Sequence, residues 1–312
     1  MKNVIFQQLG DKSALEKALA ENLIWIEKSC EKNNGSGSSA YRTMLGQWAK
    51  AYPETTGYLI PTLINASKYL DDNKWKDLAS QQIIFLKNIQ NKDGSFPQSM
   101  DNTSPIIFDT AQILLGLCAY QESYGGNKTT IETTYHWLVQ QLNNEGIFQK
   151  YNFIKNYNPN YYSRVFWPML WATKILNETV PVKIFNGINH ILADEDIGGQ
   201  FKNWRFKKGD PAFSHTIVYT LRGLWECGQF LGNEKIISAS VKNIDALCEK
   251  ISDKGLAGAY DNKFIGDFSF ICSAGNAQLT VLLLKVYKNT TEEKYLSSIP
   301  KLLKPLLNKQ SD

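Results

Sequence analysis

The stretch FLKNIQNKDGSF, residues 85–96, decides the fold because it joins the end of an amphipathic helix to a glycine turn. The same kind of turn recurs along the chain, at Gly35-Ser36-Gly37, Gly146-Ile147-Phe148, Gly199-Gln200-Phe201 and Gly255-Leu256-Ala257. From Gly94 onwards, the spacings between these turns are 52, 53 and 56 residues. A period of this size is typical of a repeat architecture.

Each repeat predicts a pair of helices, because apolar residues recur every three or four positions rather than every two. A lone helix over residues 12–31 precedes five pairs, which gives about eleven helices and no predicted β-strand. The first members begin near Glu54, Asp109, Ser163, Ser214 and Ser273. The second members cover about 75–91, 129–143, 182–193, 234–252 and 293–308.

The two kinds of helix differ in polarity. First members are apolar nearly all round, as in residues 113–119, which is typical of helices buried on most sides. Second members carry charge on one face, as at Lys235, Lys242, Asp245 and Lys250. We therefore predict an all-α domain over residues 1–312. It is an α/α toroid, a complete or incomplete six-hairpin barrel, with first members inside and second members in an outer ring.

Composition excludes several classes of function. The formal net charge is +4, from 34 basic and 30 acidic residues, and no basic stripe indicates nucleic acid as a partner. No secretory signal and no membrane-spanning apolar run is visible, so we expect a cytoplasmic protein. The five cysteines are widely spaced and odd in number, which favours buried free thiols in a reducing compartment.

Residues 85–96 and 137–148 resemble the Gln-and-aromatic repeat of triterpene cyclases and protein prenyltransferase β subunits. That resemblance implies an α/α toroid rather than a reaction, because the scaffold also serves sugar epimerases, glycoside hydrolases and polysaccharide lyases. In residues 106–111 only the last Asp of the cyclase D-x-D-D-T-A motif remains, with Phe108 at the proton-donor position.

Residues 210–216 resemble the segment that bears the zinc-binding His of the prenyltransferases. The Asp-x-Cys partner of that site is replaced around residues 160–162, and a lone His does not make a zinc site. Both isoprenoid reactions are therefore disfavoured, and we expect no metal and no cofactor.

Each first member opens with a polar cluster, which in a toroid would lie at one mouth of the barrel. Ser, Thr and Asp at a helix start are usually caps. Capping does not account for polar side chains further inside the helices, which are Tyr58, Arg164, His215, Tyr219 and Gln278. We predict that one cavity is lined by Glu54, Tyr58, Asp109, Arg164, His215, Asn276 and Gln278.

Aromatic residues beside these clusters favour a carbohydrate ligand, because aromatic faces stack on sugar C–H surfaces. Segments 52–58, 214–216 and 275–278 also resemble toroid proteins of bacterial surface-polysaccharide synthesis. A more distant similarity is to the helical domain of glucuronyl C5-epimerases. The resemblance implies a glycan or sugar substrate and other polysaccharide-synthesis proteins as partners. The predicted substrate-binding residues are Tyr162, Arg164, Trp167, Trp204, Asn276 and Gln278.

Two reactions use the same predicted pocket. A uronate epimerase or lyase would bind the sugar carboxylate with Arg164 and transfer protons with His215, Tyr219, Tyr58 or Glu54. A glycoside hydrolase would use Glu54 and Asp109 as its two carboxyl groups, with Asp267 as a further candidate on a loop. A non-catalytic glycan- or partner-binding toroid is the third alternative, and the sequence leaves the choice open.

Overall fold

The computed structural model describes residues 12–196 and 200–308, and within them it has the eleven α-helices that the repeat predicts. Every helix begins within two residues of its predicted start. The helices are α1 Lys12–Glu31, α2 Pro53–Leu70, α3 Asn73–Ile89, α4 Ile107–Tyr124, α5 Lys128–Gln141, α6 Ser163–Leu176, α7 Val182–Ala193, α8 Ser214–Leu231, α9 Glu234–Cys248, α10 Ser273–Thr290 and α11 Glu293–Leu307. A 3₁₀ turn at Asn160–Tyr162 precedes α6.

The prediction that no strand forms is wrong at one place. Three two-residue strands, β1 Ala212–Phe213, β2 Ala259–Tyr260 and β3 Gly266–Asp267, pair antiparallel in the order β1-β2-β3. Segments this short carry no periodicity that a sequence pattern can reveal. Their effect is local, because the pairing of β1 with β2 fixes the point at which α8 begins.

The described residues form two compact units. The N-terminal unit comprises residues 23–158 and 164–190 and therefore contains α2 to α5. The C-terminal unit comprises residues 12–22, 159–163, 191–196 and 200–308 and contains α8 to α11 with the small sheet. The single domain over residues 1–312 stays a prediction.

Within each unit the first members of the pairs contact one another as well as their own second members. In the N-terminal unit α2 packs on α4, α2 on α3, and α4 on α5. In the C-terminal unit α8 packs on α10, α8 on α9, and α10 on α11. Helix α4 buries twelve of its 18 residues and α3 only six of its 17. The burial of these helices thus follows the polarity of their sequences.

The glycine of the repeat turn is required by its backbone angle and by its surroundings. Gly94 has a φ of +93°, in the left-handed region that disfavours side chains. A Cβ at this position would also meet the backbone carbonyl of Thr133 in α5. The turn therefore packs directly against the next second-member helix. Gly199 of the predicted repeat lies outside the described residues.

Some of the polar residues at the starts of first members hold these turns. A backbone N–H at or just after the turn donates to a first-turn side chain in three repeats: Ser38 to Thr56 (3.0 Å), Phe96 to Thr110 (3.4 Å) and Leu256 to Asn276 (3.0 Å). These side chains therefore belong to the scaffold. None of the described helices has both the length and the apolar character that a membrane span requires.

Candidate functional site

Two glycines allow α2 and α4 to approach each other closely. A Cβ on Gly57 would lie 2.6 Å from the Cα of Ile113, and one on Gly116 would meet the carbonyl oxygen of Gly57. Any side chain at either position would push the two helices apart. The carboxyls in the first turns of these helices, Glu54 in α2 and Asp109 in α4, interact electrostatically.

Both carboxyls lie in an environment that opposes ionisation. Burial raises the pKa of Glu54, the charge of Asp109 raises it further, and the charge of Arg164 lowers it. Burial also raises the pKa of Asp109, which is only 7% exposed, while a hydrogen bond from Tyr52 lowers it. Because two neighbouring carboxylates repel each other, the pair retains protons at a pH where ordinary carboxyls have lost them.

Helix capping does not explain these carboxyls. The N-cap residues of α2 and α4 are Tyr52 and Ile106, and in the described structure neither side chain accepts a hydrogen bond from the first turn. Glu54 and Asp109 lie inside the helices, in their first turns. Free N–H groups and the positive end of the helix dipole favour the charged form of a carboxyl at this position, whereas burial favours the neutral form. Because these effects oppose each other, each carboxyl can change its charge.

Arg164, the second residue of α6, is 1% exposed and held on several sides. Its Nε donates to Oε1 of Gln112 at 3.3 Å, and the Gln112 amide donates back to the Arg164 carbonyl at 3.2 Å. Its guanidinium carbon lies 5.1 Å from the ring centre of Tyr58 and 5.5 Å from that of Trp167. The cation is therefore fixed in orientation and acts on Glu54 through its charge.

In the C-terminal unit, two of the predicted acid–base residues contact each other. The ring of His215 lies edge to face with that of Tyr219, with centres 5.6 Å apart. The Nδ1 atom of His215 lies 3.4 Å from Sγ of Cys272, the residue before α10. The rings of Phe206 and Phe213 lie 5.3 and 5.8 Å from that of His215.

The amides predicted to bind substrate have partners within the C-terminal unit. The fully buried side chain of Asn276 accepts from the Leu256 N–H and donates to the Cys272 carbonyl at 3.0 Å each. The oxygen of Gln278 accepts from Arg222 at 2.9 Å. Both contacts hold the protein together, and substrate binding by these residues stays a prediction.

The aromatic residues predicted to stack on a sugar are deeply buried. Tyr162, Trp167 and Trp204 are 2%, 5% and 1% exposed. The ring of Trp204 lies 5.9 Å from that of Phe201 and 5.5 Å from that of Phe264. Burial of this degree is typical of core packing, so stacking on a substrate stays a prediction for all three.

Several partners were not identified from the sequence, namely Tyr52, Gln112, Arg222 and Cys272. Each of them contacts a predicted site residue 52 to 57 residues away in the sequence. That separation equals the repeat period. Aligning the repeats and pairing their equivalent positions would therefore have found these contacts.

The cysteines correct one expectation. All five are free thiols, and Cys30, Cys118 and Cys227 are buried as predicted. Cys248 and Cys272, however, are only half-buried. Both lie at helix ends, where packing is less complete than in the middle of a first-member helix.

A groove of about 750 Å³ lies elsewhere in the N-terminal unit, between the end of α1, the 34–36 turn and α3. Its charged lining is Glu27, Glu31, Lys74 and Asp77, and it contains none of the predicted site residues. In residues 12–196 and 200–308, no three His, Cys, Asp or Glu side chains are grouped so that they could hold a metal ion. The absence of a metal stays a prediction.

Solved structures of sugar-modifying enzymes resemble this chain over nearly its whole length. Cellobiose 2-epimerase from Bacillus thermoamylovorans B4167 matches with a TM-score of 0.77 and 13% identity, covering 100% of this chain and 89% of its own. The unsaturated glucuronyl hydrolase from Bacillus sp. GL1 matches with a TM-score of 0.74 and 10% identity, covering 96% of this chain and 85% of its own. A D-mannose isomerase matches with a TM-score of 0.73 and 15% identity, covering 97% of this chain and 88% of its own.

At 10–15% identity these likenesses establish the fold and no more, and they confirm the prediction of an α/α toroid. No protein-family model and no curated protein matches the sequence.

Proposed function

We propose that this protein is an enzyme that modifies an acidic or polyhydroxylated glycan by proton transfer, with Glu54 and Asp109 as its acid and base. The observation that carries the proposal is the carboxyl pair in the first turns of α2 and α4, of which Asp109 is buried and Glu54 half-buried. A protein gains no stability from burying two groups that repel each other when ionised. Pairs of this kind are typical of sites that need one protonated and one ionised carboxyl near neutral pH.

The chemistry follows from the two environments. The carboxyl that keeps its proton donates it to an oxygen of the sugar, and the ionised carboxyl accepts a proton from water or from the sugar. Tyr52 fixes the orientation of the Asp109 carboxyl through its hydrogen bond of 3.2 Å. Arg164 limits how far the Glu54 pKa rises and so keeps Glu54 able to change its charge.

The substrate class rests on two lines of support. The fold neighbours are named as a cellobiose epimerase, a glucuronyl hydrolase and a mannose isomerase, all of which act on sugars. The repeat clusters resemble toroid proteins of polysaccharide synthesis, so partners from that process and a cytoplasmic location belong to the same proposal.

Hydrolysis is the reaction that a pair of carboxyls fits most directly, since one donates to the leaving oxygen and the other activates water. Epimerisation or elimination at a uronate is the second candidate. The contact between His215 and Tyr219 favours it, because both groups can transfer protons.

A test that separates these reactions is ¹H NMR in D₂O with a panel of uronate-containing oligosaccharides, unsaturated uronides and neutral disaccharides. Hydrolysis gives new reducing-end signals, elimination gives a vinyl proton, and epimerisation replaces one carbon-bound proton by deuterium. Any of the three in the wild-type protein supports an enzyme. Saturable binding of a glycan with no turnover across the panel would contradict it and favour a binding module.

A further inference from the structure

Cys272 and His215 form a thiol–imidazole pair, and the carboxyl chemistry proposed for Glu54 and Asp109 uses neither of them. Cys272 precedes α10 and His215 is the second residue of α8, so the pair joins the starts of two packed helices. The sulfur lies 3.4 Å from Nδ1 of His215. Cys272 is half-buried, so its sulfur is not sealed in the core.

The surroundings favour the thiolate over the thiol. Burial alone would raise the pKa of Cys272, but the hydrogen bond with His215, the Gly275 N–H and the charge of His215 outweigh burial and lower it to about 7. A position at a helix N-terminus beside His is the usual setting of a reactive cysteine. Tyr219 is a titratable group whose ring lies edge to face with that of His215, with centres 5.6 Å apart.

The other four cysteines have the opposite environment. Burial raises the pKa of Cys30 and of Cys248 to about 12, and it raises the pKa of Cys118 and of Cys227 well above the usual value. Cys248 is half-buried like Cys272 but does not share its low pKa, which makes it a matched control.

Exposed aromatic rings lie beside the pair. Phe206, Phe213 and Phe270 are 37%, 38% and 41% exposed. The ring of Phe213 lies 6.0 Å from that of Phe206 and 6.1 Å from that of Phe270. The rings of Phe206 and Phe213 also contact His215. These rings form an apolar surface on which the organic part of a small reagent can rest.

We propose that Cys272 is a covalent modification site that undergoes thiol–disulfide exchange with small-molecule disulfides, with His215 stabilising its thiolate. The thiolate sulfur attacks one sulfur of the disulfide. A new bond forms between that sulfur and Cys272, and the original S–S bond breaks. Its electron pair leaves on the second sulfur, which takes a proton from the His215 imidazolium or from water. A free thiol reverses the step by the same exchange.

The test is reaction of the native full chain with a dipyridyl disulfide, followed by the absorbance of the released thiopyridone and by peptide mass spectrometry. One fast equivalent on Cys272 is expected, with a rate that is half-maximal near pH 7. Cys272→Ser should abolish this fast phase and Cys248→Ser should retain it. Equal labelling of Cys248, or a fast phase that survives in Cys272→Ser, would overturn the proposal.

The role of His215 has its own readout. His215→Asn should move the pH midpoint upwards and slow the reaction at pH 7 by about five- to tenfold, since a less acidic thiol is less ionised but intrinsically more nucleophilic. An unshifted midpoint would contradict the role. If His215→Asn does not fold, His215→Gln serves as the second variant and should shift the midpoint in the same direction. Cys272 in Glu54→Gln should react with the disulfide at the wild-type rate. Failure of the thiol proposal can therefore be told apart from failure of the proposed glycan function.

Discussion

The hydroxyl of Tyr52 donates a hydrogen bond to Oδ2 of Asp109 over 3.2 Å and thereby ties the residue before α2 to the first turn of α4. Burial and the two nearby carboxyls raise the pKa of Tyr52 well above its usual value, so the hydroxyl stays a donor throughout the physiological range. The bond stabilises the charged form of Asp109 against the effect of burial. The bond therefore helps to make the pKa of Asp109 different from that of Glu54.

The carboxyl pair should leave a signature in the pH dependence of stability. The folded-state pKa values of Glu54 and Asp109 are raised, so their contribution to stability is fully present below about pH 4, the ordinary carboxyl pKa. That contribution is lost as the pH rises through the folded-state values. Glu54→Gln and Asp109→Asn should therefore raise the Tm by about 2 °C or more at pH 8, and by less at pH 5.

Thermal melts of both variants and the wild type at the two pH values check this. Glu122→Gln is the matched control, because Glu122 is an exposed carboxyl on the same helix as Asp109. Its Tm difference from the wild type should be small at both pH values. A gain for Glu54→Gln that is equal at pH 5 and pH 8 would mean that burial does not raise the Glu54 pKa.

Arg164 should act through geometry as well as charge. Arg164→Lys keeps a positive charge but cannot reproduce both the Gln112 hydrogen bond and the flat contact with Tyr58, so activity should fall by about tenfold or more. Arg164→Met removes the charge that lowers the Glu54 pKa, so the limb of the pH–rate profile that reports ionisation of Glu54 should move to higher pH. Pre-steady-state rates across pH 5–9 measure both effects. Arg42→Lys, a change on the surface of the same unit, is the control and should keep wild-type rates. Full activity of Arg164→Lys would show that the geometry of the guanidinium group is not needed.

The close approach of α2 and α4 should be intolerant of a single methyl group. In Gly116→Ala the new Cβ would meet the carbonyl oxygen of Gly57, so the helices must separate. Overpacking of this kind costs about 1–3 kcal/mol, and the separation should also reduce activity by displacing Glu54 from Asp109. Urea unfolding gives the first quantity and turnover the second. Glu122→Ala, an exposed change on α4, should stay within about 0.5 kcal/mol; a fully active and stable Gly116→Ala would show that the approach is not needed.

The sequence predicts the local features of this fold well, because they depend on local chemistry. Helix α1 ends at Glu31 as predicted, and the glycine turns at Gly94, Gly146 and Gly255 lie where the repeat requires them. The strands are missed because two residues carry no pattern. The burial of Tyr162 and Trp204 is missed because an aromatic residue beside a polar cluster has the same sequence signal in a core as in a binding site.

The candidate site is predicted only in part. Glu54 and Asp109 can be nominated from their helix positions. Their proximity, however, depends on Gly57 and Gly116, which have no side chain that would mark them as site residues. Arg164 is predicted to bind the sugar carboxylate, which stays a prediction, and its hydrogen bond with Gln112 was not predicted. Whether the predicted residues of the two units line one cavity stays a prediction. The choice of partner depends on helix register and rotamer, which residue types alone do not determine.

The most direct test of the central claim is the turnover rate of Glu54→Gln and Asp109→Asn on the glycan that the NMR panel identifies, measured beside its dissociation constant. If the two carboxyls are the acid and base, each variant should lose about 10²–10⁴-fold in kcat while the Kd changes little. The double variant should lose far less than the product of the single losses, because the two groups act as one unit. Wild-type kcat in either single variant would contradict the assignment of this pair.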